Sequence, residues 1–396
     1  MRNKLSLFLI TISLFFITSC DNDGKSFKTA AKIAEVKQTK YSSKIFSYLN
    51  LEEVREKTTF DVYSPYLAPQ KKVKSNIVRD LVYDFIGWDN SKLENVLLIG
   101  NGGAGAVGLI EKLARVYNFQ ARREQDKLLV IWTFNHSFEN FSRVNNLDAA
   151  ITYEPHREKE LADQGKIFHL ETLFLNHFEI VAPKNAPRLN CERRGYCSPV
   201  SLIKELMSQT VQYGTQNYVS RYNHSAMGEK DNLIFRLALA EKYNREDTFA
   251  ANETYNFWIN KIKKETTKLP PLILDEAADN SHYHLNDRAF IYLKEAKERV
   301  VTKTSDNLND PLLNPAQIWL TSKIDLGKNS PVAKFYKWLF SRRGQNVIKE
   351  FQIKGQRVYS PKKEITFSAV HRAYTDHIKK VKYQVQIDYV WDYIVL

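Results

Sequence analysis

Two loops carry the residues with which this chain could do chemistry. The first is Gly100-Asn101-Gly102-Gly103-Ala104-Gly105, which follows the apolar run Val96 to Ile99. After it Val107, Ile110, Leu113, Ala114 and Tyr117 recur at the three-to-four spacing of one helical face, so the stretch reads as strand, turn and helix. Such a turn binds anions. Glycines let the backbone approach a ligand closely, and a helix's first turn offers N–H groups with no internal partner at the positive end of its dipole. A tight turn packed on a sheet needs glycine equally, so the composition alone leaves both readings open. The second loop, Ser220 to Met227, carries Ser220, Arg221 and Ser225 between a strand near Val211 to Val219 and a helix from Asp231 to Lys242. A guanidinium there can grip an oxyanion through paired N–H donors. Facing one another, the two units would form a cleft with backbone donors on one wall and an arginine on the other. Tyr153, ending a third strand, falls where ligand loops usually lie. The candidate ligand set is therefore Asn101, Gly102, Gly103, Ala104, Gly105, Tyr153, Ser220, Arg221 and Ser225.

Other chemistry is thinner. The glycine turn fits G-x-G-x-x-G, but the next strand, Leu128 to Thr133, ends in Phe134-Asn135 and not in an acid that could hold a ribose, which argues against a dinucleotide. His282 and His284, near Asp275, Glu276 and Asp279, could ligate a metal, though a loop and strand start on a surface is the simpler reading. No Ser-His-Asp or Cys-His arrangement and no nucleophile elbow can be assembled. The chain reads as no enzyme, with no cofactor and no resident metal.

The elements that must position the two loops alternate. Strands at Leu128 to Thr133, Leu147 to Tyr153 and Phe178 to Pro183 are separated by helices at His136 to Val144 and Arg157 to Gln164, the pattern of an α/β domain on a mainly parallel sheet. Asn76 to Trp88 has helical spacing, Ser201 to Ser208 reads as a short helix, and Pro331 to Ser341 and Arg343 to Phe351 as two amphipathic ones. In the basic, Tyr-rich stretch Lys362 to Leu396, the alternation of Tyr383, Val385, Ile387 and Tyr389 suggests a strand.

The ends speak of the cell envelope. Arg2 and Lys4 lead into an apolar run from Leu5 to Ile17, too short for a comfortable membrane span, and Ile17-Thr18-Ser19-Cys20 resembles a lipobox. That resemblance implies a signal peptide over 1–20, acylation of Cys20 and a protein anchored outside the cytoplasm. The remaining cysteines, Cys191 and Cys197, are separated by five residues in a turn-rich loop and are expected to pair in an oxidising compartment. The net charge of +13 falls to about +11 without Arg2 and Lys4. Outside the cell it points away from nucleic acid and toward an anionic ligand, an anionic membrane surface or simply a solvated basic face.

The collinear set of motifs resembles the tungstate-type substrate-binding proteins of ABC importers. It runs through Leu147-Asp148-Ala149-Ala150-Ile151, Glu158-Lys159-Glu160-Leu161 and Leu175-Asn176-His177-Phe178-Glu179-Ile180-Val181-Ala182-Pro183-Lys184. It continues through Ser220-Arg221 with Ser225, Leu285-Asn286-Asp287-Arg288, and Phe335 to Ser341 with Gly344-Gln345, ending near Pro361. The resemblance implies a two-lobed, periplasmic-binding-protein-like type II α/β fold with added N-terminal and C-terminal segments, closing on an oxyanion for a permease. The implied layout is a tether over 21–90, one lobe from 91–183 plus 285–361, the other from 184–284, and an extension over 362–396. The family's first ligand loop is rich in Ser and Thr, whereas Gly100 to Gly105 has no hydroxyl; in the second, Tyr222, Asn223, Ala226 and Met227 depart from the pattern. Those losses weaken the case for a tetrahedral oxyanion. They leave room for a binding-protein fold reused as an envelope sensor or partner-binding scaffold.

Overall fold

The computed structural model describes residues 80–83, 96–134, 137–195, 197–213, 217–221, 225–243, 263–265, 270–293, 298–322, 324–363 and 365–380. All belong to one compact unit. The expected leader, Cys20, the expected tether apart from 80–83, Tyr222 to His224 and the alternating residues Tyr383 to Tyr389 lie outside the described residues.

In chain order the elements are β1 (Asp80–Tyr83), β2 (Val96–Asn101), α1 (Gly103–Ala106), α2 (Leu109–Gln120), β3 (Leu129–Phe134), α3 (Ser137–Ser142), β4 (Ala149–Thr152) and α4 (Pro155–Asp163). Then come β5 (Phe168–Pro183), α5 (Asn190–Arg193), α6 (Pro199–Tyr213), β6 (Tyr218–Ser220), α7 (Ala226–Tyr243), β7 (Lys263–Glu265), α8 (Pro270–Asn280), β8 (Tyr283–Asp287) and α9 (Arg288–Leu293). The remainder is β9 (Glu298–Thr302), β10 (Leu313–Leu320), α10 (Pro331–Leu339), α11 (Arg342–Lys349), the short strands β11 (Gln352–Ile353), β12 (Gln356–Arg357) and β13 (Ser360–Pro361), and α12 (Phe367–Lys380).

One strand organises the sheets. β5 is 16 residues long. Its first half, through His177, pairs with β10 and β13; its second half, from Phe178, pairs with β8 and β9. The first half closes a sheet of order β1-β3-β2-β4-β10-β5 and the second opens one of order β5-β8-β6-β7. β2, β3 and β4 run parallel, as do β6, β7 and β8. This is the two-lobed α/β architecture, with the chain crossing at 177–178 and returning between β9 and β10. Glu298–Thr302 and Tyr283–Asp287 both belong by pairing to the second sheet.

The two passages between lobes are bound together. Arg288 Nε donates to Glu179 Oε1 at 2.7 Å and Nη2 to the Thr304 carbonyl at 3.0 Å, while Thr304 Oγ1 donates to the Phe178 carbonyl. His177 Nε2 meets Asp306 Oδ1 at 2.8 Å. Each lobe has its own core, the second built from Ile180, Leu202, Met207, Phe235, Ala277 and Leu285 among others. Periodicity located the helices because their apolar stripes face those cores.

Three expectations change. The 76–88 stretch does not continue as a helix through 80–83: β1 lies there, antiparallel to β3, because an open sheet edge satisfies the backbone donors and acceptors that helical spacing would have paired internally. The strand expected at 211–219 shrinks to Tyr218–Ser220 because α6 runs on to Tyr213. The 362–396 extension contains a helix, α12, whose Val370 joins Leu175, Leu313 and Ile365 in a small apolar cluster over the crossover.

Asn118 tests how the first lobe is pinned. Its Nδ2 donates to the Leu128 carbonyl at 2.9 Å and its Oδ1 accepts from the Leu128 amide at 2.8 Å, both buried. Asn118→Ala strands both backbone groups and is expected to lower unfolding free energy by about 2–4 kcal/mol in denaturant titration; a loss within error of zero would show that water replaces the amide.

Candidate functional site

The glycine turn forms because Asn101 folds back on it. Asn101 is fully buried at the end of β2, and its Oδ1 accepts from the Gly105 amide at 2.5 Å. Ala106 and Val107 donate to the Gly102 and Gly103 carbonyls at 3.2 and 3.0 Å, closing the first helical turn. Gly103 packs closely: a Cβ there would stand 3.2 Å from Phe290 Cε2 and 3.4 Å from Asp287 Oδ2. The turn therefore lies against the junction of β8 and α9, the second sheet's contribution.

Arg221 follows β6, which lies next to β8. The two strands run parallel with Tyr218 beside Tyr283 and Val219 beside His284, a register that carries Ser220-Arg221 alongside Leu285-Asn286, one residue short of Asp287. Arg221 is buried. Asp287 thus touches the first turn and neighbours the strand that bears the second.

The hydroxyls divide differently from expectation. Ser220 Oγ donates to Asp231 Oδ2 at 2.8 Å, and Tyr218 donates to Asp231 Oδ1 at 2.5 Å. Ser225 Oγ accepts from the Gly228 amide at 3.2 Å, at the start of α7. Both serines thereby hold their own loop. Three buried polar atoms stand in no hydrogen bond of ordinary geometry: Asn101 Nδ2, Tyr153 OH and Tyr359 OH. Tyr153 lies beside Asn101, Asp287 and Glu158, and Tyr359 beside Asp287 and Tyr153. Burial, then Asp287, pushes both phenols upward, so they remain protonated donors. Asp287 stands out in the sequence only within the Leu285 to Arg288 motif, and Tyr359 has no local signal of its own. Their convergence depends on strands far apart in the chain.

Carboxyls rim this centre. Burial raises Asp287 to about 6, against the lowering effect of hydrogen bonds from Asn176 Nδ2 (2.8 Å) and the Ala289 amide (2.8 Å) and the charge of Arg288. Burial raises Glu158 to about 8 although Thr152 Oγ1 and the Glu154 amide donate to its Oε1 at 2.6 and 3.0 Å. Glu154 goes well above the usual carboxylate range through burial, then the charges of Glu229 and Glu158. Glu229, raised by burial, belongs to α7 of the second lobe, so Glu154 and Glu229 sense each other across the seam. Lys230, lowered to about 8 by burial, donates to the Leu313 carbonyl at 2.7 Å.

The C-terminal helix lies over this seam. In α12, Tyr374 and His371 each pack edge-on against His156 of α4 with centroids 5.0 Å apart, and Lys230 Nζ of α7 stands 6.0 Å over the Tyr374 ring. Burial and then Glu229, Glu154 and Glu158 push the Tyr374 phenol upward. One helix therefore touches both lobes beside the candidate seat.

Elsewhere, Cys191 and Cys197 form the expected disulfide, with Cα atoms 4.8 Å apart. Burial depresses His284 to about 3, so it stays neutral in the core. Among the described residues no group of three or more His, Cys, Asp or Glu side chains is placed to hold a metal ion.

No protein-family model and no curated protein matches the chain. Solved structures do. One is a periplasmic protein provisionally described as metal-binding, 24% identical, with a TM-score of 0.56, spanning 72% of this chain and 99% of its own. Another is the tungstate binding protein TupA from Desulfovibrio alaskensis G20, 17% identical, with a TM-score of 0.51, spanning 68% of this chain and 100% of its own. At these identities the likeness establishes the fold, that of two-lobed periplasmic binding proteins.

Glu158 gives the site a pH signature. Its folded pKa of about 8 exceeds the ordinary value of 4.5, so between those limits the folded chain holds a proton that the unfolded chain releases. Its contribution to stability therefore falls as pH rises through that window and is level above it. Glu158→Gln keeps the acceptor for Thr152 and Glu154 but cannot ionise. Its melting temperature is expected to decline less than the wild type's between pH 5 and 8, read by calorimetry; parallel curves would show that Glu158 is ionised throughout.

Proposed function

We propose that this chain is a membrane-anchored, extracytoplasmic solute-binding lipoprotein that captures a small oxyanion of the phosphate, molybdate or tungstate class for an ABC importer. It performs no chemistry. The observation that carries the reading is the set of buried groups Asn101 Nδ2, Tyr153 OH and Tyr359 OH, none in a hydrogen bond of ordinary geometry although Asn101 and Tyr153 face each other, beside the glycine turn. Protonated phenols and an amide supply the hydrogen bonds that Ser and Thr hydroxyls supply in the family it resembles, and a guanidinium supplies the charge. Lobe closure about the two crossovers would shield the anion from water. TupA, named for tungstate binding, shares the fold. The N-terminal lipid anchor rests on the sequence around Cys20.

Asp287 opposes the anion when ionised. Binding should strengthen as pH falls through about 6, where that carboxyl becomes neutral and can itself donate.

A second reading has its own observation. α12 covers the seam, and Glu154 faces Glu229 across it, as befits a site closed to anions and a fold reused as an envelope sensor or partner-binding scaffold.

Calorimetric titration of the delipidated protein with tungstate, molybdate and phosphate, above and below pH 6, separates the two. The transport reading expects heat with at least one anion, larger affinity on the acid side, and a loss of roughly 10- to 100-fold in Arg221→Ala, the range for a charged hydrogen bond. No heat with any anion at either pH removes it. Co-purification of a non-permease partner, abolished by deleting Lys362 to Leu396, would then establish the scaffold.

A further inference from the structure

Where α2 and α10 end, the first lobe presents an exposed aromatic ring on elements flanked by basic residues. Phe119, in the last turn of α2, is 91% exposed. Its neighbour Gln120 accepts a hydrogen bond from Trp338 Nε1 at 3.0 Å, and Tyr117, one turn back, meets the Trp338 ring edge-on at 5.7 Å. These contacts fix the end of α2 beside the end of α10 and the start of α11. The sequence on either side is basic: Arg122 and Arg123 follow α2, Lys337 adjoins Trp338, and Arg342 and Arg343 open α11. All five are exposed, and among the described residues none forms an ion pair. Of the acids in the turn after Arg123, Glu124 and Asp126, Asp126 is held by Lys334 at 2.6 Å.

A single exposed phenylalanine needs no explanation, and neither does a basic face. Together they select a medium. The five charges suit any polyanion, and an exposed phenyl ring on the same elements is stabilised where an apolar layer lies directly beneath a negative one. A bilayer interface has that structure: aromatic rings enter at the headgroup level while basic side chains stay among the phosphates. A protein surface that is acidic throughout would match the charges and leave the ring without a partner. The helices are too short to span: among the described residues no helix is long and apolar enough to cross a membrane. The contact is therefore peripheral.

We propose that the corner formed by Phe119, Arg122, Arg123, Lys337, Arg342 and Arg343 docks on an anionic membrane surface and sets the orientation in which the first lobe meets it. The lipid expected on Cys20 would bring this corner within reach, but the docking is a property of the folded lobe and does not depend on what the interlobe seat binds.

The test uses the mature chain with Cys20→Ser, so that no acyl group contributes, in flotation with phosphatidylcholine vesicles with and without phosphatidylglycerol. Binding is expected to the anionic vesicles only and to weaken with salt. Replacing Arg342 and Arg343 by Ser should reduce partitioning by roughly 25-fold, about fivefold for each charge removed near the surface. The matched change Arg193→Ser with Arg194→Ser, exposed on the second lobe, should leave partitioning within about twofold of wild type, because screening confines the attraction to charges near the bilayer. Phe119→Trp should bind with a blue-shifted emission and Phe119→Ser more weakly. All sites are exposed, and unchanged melting temperatures confirm that the variants fold. Absence of binding to anionic vesicles overturns the proposal, as would happen if the corner served an acidic protein instead. Equal losses in the two arginine pairs overturn it too, because they would reduce the effect to net charge.

Discussion

The arrangement depends on the burial of one carboxyl. Asp287 ends the strand that neighbours Arg221's, lies against the glycine turn of the other lobe, and is held by Asn176 and the start of α9. Removing a carboxylate from water is costly unless it is neutralised or well bonded, and here both remedies operate: two hydrogen bonds hold it while its pKa moves to about 6. That compromise keeps a group of switchable charge at the centre of the seam. Burial, and after it this same residue, raises the phenols of Tyr153 and Tyr359, which keeps them donors.

Around it the architecture is a consequence of β5. A strand that changes partners midway belongs to two sheets, so the lobes share a continuous backbone at the crossover and their loops are carried to one side. Ligands of open α/β sheets lie at the ends of parallel strands for the same reason: loops that leave a sheet at one edge converge there, with unpaired backbone groups and helix starts. Here β2, β4, β6 and β8 all deliver their last residues to the seam. The bond of Arg288 to Glu179 and to the Thr304 carbonyl ties the two passages together, which favours rotation about a shared axis over independent movement of the lobes.

What could be read in the sequence is what local pattern determines. The glycine turn, the helix behind it, the alternating strands and the cysteine pair are each written within some twenty residues, and each lies where local spacing put it. The misplaced pieces lack that locality. β1 takes its strand form from the open edge of β3, and the length of α6 from packing in the second lobe's core. In the candidate site the same division holds. Asn101, Gly103 and Arg221 stand on elements legible from spacing. Ser220 donates to Asp231 and Ser225 accepts from the start of α7, bonds invisible without coordinates. Tyr359 and Tyr374 could not be assigned, because nothing near them in the chain marks the strands and helices they meet.

The central claim is that a small oxyanion sits between Asn101, Tyr153, Tyr359 and Arg221. The most direct measurement is a crystal structure of the protein grown with tungstate, read by the metal's anomalous scattering. The account predicts one strong peak at the seam, within hydrogen-bonding distance of Asn101 Nδ2, the two phenols and the Arg221 guanidinium. A peak on the exterior, or a seam holding only water or the Tyr374 ring, would contradict it.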